Sequence, residues 1–133
     1  MLMSREMDYA LRIVRALKDG PMSATQIAES ETLTRPITLK VLGRLRQAHI
    51  VSSSRGHDGG YSLAQNWRQL TLYDLFEAIG EDLSVNRCQI CGYRCDNRPD
   101  GCQWHSELDR IQTVLNEELS RHTLDDILKG EIQ

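Results

Sequence analysis

Four cysteines and one histidine are gathered in a short stretch with the spacing Cys88-x2-Cys91-x3-Cys95-x6-Cys102-x2-His105. Thiolates are soft ligands that suit iron–sulfur clusters and zinc, and an imidazole can complete either set. The Cys-x2-Cys pair by itself is a common zinc half-site. The same thiols could also serve as a metal-free redox switch. Inert cysteines are the weakest reading, because a buried free cysteine usually has apolar neighbours. Residues 84–103 have few of these, chiefly Val85, Ile90 and Tyr93. A segment this polar cannot order itself by hydrophobic burial, which makes a metal its natural organiser.

The remainder of the chain must position that loop. With 133 residues and a hydrophobic fraction of 40%, the chain suffices for one core and an appendage. No run reaches the roughly 18 apolar residues that span a bilayer, and Arg5, Glu6, Asp8 and Arg12 interrupt any signal-peptide core. A cytoplasmic protein without membrane attachment is expected, where clustered cysteines more often serve metal or redox chemistry than disulfides. The net charge of −3 is unevenly spread. Residues 1–68 carry ten Lys/Arg against six Asp/Glu, and residues 69–133 carry six against thirteen. A basic half beside an acidic half points to one polyanion-binding face, although two differently solvated surfaces would look the same.

Periodicity predicts a first helix from Ser4 to Lys18, stopped by Asp19-Gly20-Pro21, and a short second helix over 23–29. A polar turn leads to a third helix opening at Pro36, a residue suited to a first helical turn. Ile37, Val41, Leu42 and Leu45 form its apolar face, with Thr38, Lys40, Arg44 and Arg46 opposite. That is the helix-turn-helix pattern, although a helical hairpin with solvated charges would share it. The next segment of the chain favours the helix-turn-helix. Strands over 50–54 and 61–63 enclose the tip Arg55-Gly56-His57-Asp58-Gly59-Gly60, whose glycines permit positive φ and close backbone approach. A basic hairpin directly behind a basic helix is a wing. Thr71 caps a fourth helix, Leu108, Ile111, Leu115 and Leu119 make a narrow stripe on a helix over 104–120, and Thr123 begins a last short one.

These residues resemble the IscR/NsrR/CymR-type winged-helix regulators of bacteria over nearly the whole chain. The resemblance runs through Asp8-Tyr9-Ala10-Leu11-Arg12, Leu42-Gly43-Arg44-Leu45-Arg46, the wing string Arg55-Gly56-x2-Gly59-Gly60-Tyr61-x-Leu63 and Thr123-Leu124-Asp125-Asp126. It implies a mainly α fold with a small β-hairpin wing: a winged helix-turn-helix over 1–83, a cysteine-rich metal loop over 84–105, and a dimerisation helix with a short closing helix over 106–133. It implies a homodimeric repressor rather than an enzyme, binding a palindromic operator in double-stranded DNA. It also implies that the stripe from Leu108 to Leu119 is the dimer seam. The N-terminal part of a recognition helix reaches base edges, which assigns Thr34, Arg35, Thr38 and Lys40 to that role. Arg44 and Arg46 lie farther along, nearer phosphate, and Arg55, His57 and Tyr61 belong to the wing.

Cluster-bearing members of the family use three cysteines in this region. One subgroup adds a histidine three residues after the last, the place of His105 here; others use an N-terminal carboxylate reaching across the dimer, for which Asp8 or Glu6 would be the counterpart. This chain departs from the five-residue gaps of the best-known pattern. Omitting Cys91 leaves two even gaps of six, so Cys88, Cys95, Cys102 and His105 are the expected ligands. Cys91 is spare, or replaces Cys95 or the fourth ligand. The centre implied is [2Fe–2S] or [4Fe–4S], sensitive to redox state or nitric oxide. A zinc-stabilised regulator or a thiol switch is the alternative, and an iron–sulfur electron carrier or enzyme is a more distant one.

Overall fold

The computed structural model describes residues 2–56, 59–98 and 101–132. In chain order these form α1 (Arg5–Leu17), α2 (Ala24–Glu31), α3 (Arg35–Gln47), β1 (Val51–Ser54), β2 (Gly60–Leu63), α4 (Leu72–Ile79), α5 (Gln103–Leu119) and α6 (Leu124–Lys129). Short 3-10 turns lie at Trp67–Gln69 and Arg87–Gln89. The fold is therefore mainly α with one antiparallel hairpin, as expected from the sequence.

Local chemistry sets the helix starts. The Ser4 hydroxyl accepts from the Met7 N–H, and Ser23 with Gln26 and Thr71 with Asp74 form reciprocal capping boxes. Thr123 accepts from the Asp126 N–H. Each cap satisfies amide donors that the helix cannot pair itself. Gly80 ends α4 in the left-handed conformation at φ 77°.

Helices α1 to α4 enclose one core. Met7, Ile13, Ile27, Leu42, Leu45, Leu75 and Phe76 are fully buried within it, and each contributes about 1.5–3 kcal/mol by leaving water. The last helix returns to this core: Leu124 is buried there, and its N–H donates to the Leu70 carbonyl at 2.7 Å. Helix α5 differs, since none of its residues is buried within the chain. Leu108, Leu115 and Leu119 are half-buried, whereas Ile111 and Val114 stand 38% and 50% exposed. The expected seam is thus split between a side turned to its own chain and an outer side.

Gln112 of α5 holds the start of the cysteine loop. Gln112 donates to the Leu83 carbonyl at 3.1 Å and accepts from the Val85 N–H at 2.7 Å. Leu83 is buried in the core, so the start of the loop is tied at once to the helical bundle and to α5.

Candidate DNA-binding face and cysteine cavity

The hairpin pairs Val51 with Leu63 and Ser54 with Gly60, and it is widened by a two-way backbone bridge between Met22 and Tyr61 at 3.0 and 2.8 Å. A Cβ on Gly60 would lie 2.8 Å from the Met22 carbonyl oxygen, and one on Gly59 would lie 2.6 Å from that of Ser54. Both glycines are needed because backbone passes too close for any side chain. They bring Arg55 to the exposed end of the wing. His57 lies outside the described residues.

Tyr61 is half-buried rather than free on the outer face of the wing. It and Leu63 pack against the core, because alternate residues of a strand share a side. Thr38 is withdrawn from the base-reading set. It is 0% exposed, and its hydroxyl donates to the Thr34 carbonyl at 2.9 Å, the i−4 back-bond that lets a threonine sit in a helix interior. The outward side of α3 instead carries Arg35, Leu39, Lys40 and Arg46, with Thr34 exposed at its start. Leu39 has no DNA signal in the sequence, being an isolated leucine; its exposure on this face is what marks it.

The charges on α3 divide into two groups. Lys40 Nζ lies 2.6 Å from Glu6 Oε1 and Arg44 Nε lies 3.3 Å from Glu6 Oε2. Arg44 also donates to the Ile79 carbonyl at 2.7 Å. Arg44 is therefore tied to α1 and α4, with its side chain still 43% exposed. The hydrogen bond from Lys40 holds the Glu6 carboxyl below its ordinary value, outweighing the opposing effect of burial, with further help from the charges of Arg44 and Lys40. Arg35 and Arg55 have no carboxylate partner among the described residues, and Arg46 reaches only the Ser53 hydroxyl, at 3.4 Å between helix and wing.

The cysteine loop closes around a cavity of about 450 Å³ against the start of α5. Cys88, Cys95, Cys102 and His105 all line it; Cys91 does not. The three lining thiols are half-buried, whereas Cys91 is exposed. Gln89 Nε2 lies 3.5 Å from Cys88 Sγ and 3.3 Å from His105 Nδ1, linking two of the four donors. The donor set suits a thiolate–imidazole centre, but the side chains do not converge. No group of three His, Cys, Asp or Glu among the described residues has the spacing to hold a metal ion as it stands. Neither carboxylate considered as a fourth ligand lines the cavity of its own chain; Asp8 pairs with Arg12 at 3.0 Å and Glu6 with α3.

Arg87, Arg94 and Arg98 also line the cavity, with Tyr93 and Trp104 among its aromatic groups. The sequence reading assigns no binding role to these residues. The signal available for them is a local excess of arginine inside the acidic half.

A winged helix with an exposed basic helix face defines a DNA-binding protein of the helix-turn-helix class. The chain belongs to the Rrf2 family, whose model, described as an iron-dependent transcriptional regulator, matches residues 3–130. This is a family of transcriptional regulators rather than enzymes. Among its relatives, the HTH-type transcriptional regulator IscR of Pectobacterium atrosepticum is 25% identical over 114 residues, covering 86% of this chain and 68% of that protein. Among solved structures, T. potens IscR superposes with a TM-score of 0.73 at 25% identity, covering 98% of this chain and 88% of that one. CymR, the global cysteine regulator of B. subtilis, shares the fold with a TM-score of 0.70 at 23% identity over 96% of both chains. No helix among the described residues is long and apolar enough to cross a membrane.

Proposed function

We propose that this chain is a cytoplasmic, homodimeric repressor that binds a palindromic operator in duplex DNA. Its affinity is gated by a redox- or nitric-oxide-sensitive iron–sulfur centre held by Cys88, Cys95, Cys102 and His105. The observation that carries this reading is the shared cavity: three half-buried thiols and one imidazole line it, and the fourth cysteine stands outside.

The division of labour follows the chain. Residues 1–83 bind DNA, residues 84–105 form the sensor, and residues 106–133 supply the dimer helix and the helix that closes the core. Thr34, Arg35, Leu39 and Lys40 are offered to base edges, with Leu39 suited to a thymine methyl. Arg46 and Arg55 are offered to phosphate. The outer side of α5, with Ile111 and Val114, meets the same helix of a second copy. Cys88, Cys95, Cys102 and His105 would hold an iron–sulfur centre, which when bound would link the loop's thiols in a way that oxidants or nitric oxide could break. The protein's part is to carry that event onward: Gln112 joins the loop to both α5 and Leu83, so a reordered loop changes how the two recognition helices are spaced.

A second reading has its own support. The thiols and His105 do not converge on one point, which favours a regulator that uses free thiols. Visible absorption after anaerobic purification separates the readings. The iron–sulfur reading expects a brown protein with stoichiometric iron and sulfide; a colourless protein with zinc, or with no metal, would remove the cluster and leave DNA binding in place.

A further inference from the structure

The acidic half of the chain, residues 69–133, contains six basic side chains. Three pair with carboxylates three or four residues earlier in the chain: Arg110 with Glu107 at 2.7 Å, Arg121 with Glu118 at 2.8 Å and Lys129 with Asp125 at 2.6 Å. The other three are Arg87, Arg94 and Arg98. None of them has a carboxylate partner among the described residues, and all three line the cysteine cavity. In a half carrying thirteen acidic residues, chance solvation would leave few cations unpaired and would not gather them around one opening. A guanidinium is always charged, is weakly hydrated for a cation, and presents a planar fork that matches carboxylates and other oxyanions.

We propose that this cavity is an anion-selective thiol site, in which Arg87, Arg94 and Arg98 draw a small carboxylate-bearing or other oxyanionic molecule into contact with Cys88, Cys95 and Cys102. The cavity, about 450 Å³, falls in the range of small-molecule pockets. The inference deepens the reading of the loop as a sensor, by naming the charge of what reaches it. It rests on the thiols and the arginines alone and holds whether the centre contains iron, zinc or neither.

The test uses two alkylating probes of nearly equal size and unlike charge, iodoacetate and iodoacetamide, on the full chain, reduced and freed of metal. In both reactions the thiolate displaces iodide. The ratio of the two rates at one cysteine therefore cancels that thiol's own acidity and access and reports the local potential. Peptide mass spectrometry reads each cysteine separately. The iodoacetate-to-iodoacetamide ratio should be about three- to ten-fold higher at Cys88, Cys95 and Cys102 than at Cys91 at low salt, and should fall as salt screens the charges. The combined Arg87→Gln, Arg94→Gln and Arg98→Gln variant should lower it to the Cys91 value, and the corresponding lysine variant, which keeps charge and length, should retain most of it. Equal ratios at all four cysteines, or an undiminished ratio in the glutamine variant, would overturn the proposal. So would equal ratios at all four cysteines of the unsubstituted protein together with less metal in the glutamine variant as purified, before metal is stripped, which would mean that the arginines only offset the charge of a metal–thiolate centre. A failed cluster reading, seen as a colourless protein, would leave these ratios untouched.

Discussion

Arg44 Nη1 donates to the carbonyl oxygen of Ile79 at 2.7 Å, tying the recognition helix to the last turn of α4. A cation at a helix C-terminus meets both unpaired carbonyls and the negative end of the helix dipole. With Glu6 on its other side, Arg44 fixes the angle of α3 against α1 and α4. In the proposed reading Arg44 aims the helix and does not contact phosphate.

Replacing Arg44 by Gln should therefore lower stability by about 1–2 kcal/mol, the scale of one charge-assisted hydrogen bond in a half-exposed setting. It should leave the salt dependence of DNA binding unchanged. Loss of a phosphate contact would instead flatten the log–log slope by about one per subunit. Urea unfolding and a salt series on the same variant distinguish the two. A flattened slope with unchanged stability would return Arg44 to the DNA.

Glu6 gives a pH-dependent prediction. A carboxylate depressed in the folded state stabilises the fold above its unfolded pKa and loses that contribution as pH falls through the folded value. Lys40 and Arg44 depress Glu6 below its ordinary 4.5. The deficit of Glu6→Gln relative to wild type should thus be present at pH 7 and vanish on acidification through and below that range. As an exposed pair it should amount to about 0.2–1 kcal/mol. At neutral pH the variant frees Lys40 and should bind DNA of every sequence more tightly. Weaker general binding would show that Glu6 holds Lys40 in its DNA-reading position.

Most of the scaffold was legible because its signals are local. Ser4, Ser23, Thr71 and Thr123 cap helices as their types require, and the glycines behind the wing mark a hairpin whose backbones touch. What the sequence left hidden depends on rotation about a helix or on tertiary partners. Thr38 reads as polar and outward, yet a back-bonded threonine can be buried while the neighbouring leucine faces solvent. Tyr61 fits the wing motif, but strand alternation turns it inward. Arg44 resembles every other basic residue on α3 until Ile79, distant in sequence, supplies its acceptor. The cysteine spacing singled out the three thiols that share the cavity; the three arginines around them carried no spacing signal of their own.

The dimer interface should respond to the outer side of α5. Ile111→Asp with Val114→Asp places two charges where an apolar contact is proposed, and each would be buried without a partner. The double variant should be monomeric by sedimentation at micromolar concentration and keep its helical content. Leu115→Asp, on the half-buried side, should instead lower the stability of the chain. A dimeric Ile111/Val114 variant would place the interface elsewhere.

The metal ligands should divide as the cavity divides them. Cys88→Ala, Cys95→Ala and Cys102→Ala should each abolish or cripple metal retention, while Cys91→Ala should leave the visible spectrum largely intact. His105→Ala should shift the spectrum or hasten metal loss, and Asp8→Ala should do so only if a carboxylate reaches across the dimer. Loss of all iron in Cys91→Ala with retention in Cys95→Ala would move the centre to the Cys-x2-Cys pair.

The central claim is that the cysteine loop sets the affinity of the DNA-binding face. It is tested most directly by measuring operator affinity on one anaerobic preparation before and after the centre is destroyed by oxidant or nitric oxide, across a salt series. With about eight phosphates neutralised per dimer, the log–log slope should be about −7 in the binding form. The two forms should differ in affinity at least about tenfold, since a switch needs unequal binding by its two states. Equal affinity at every salt concentration, in a protein whose centre was demonstrably present and then lost, would contradict the account.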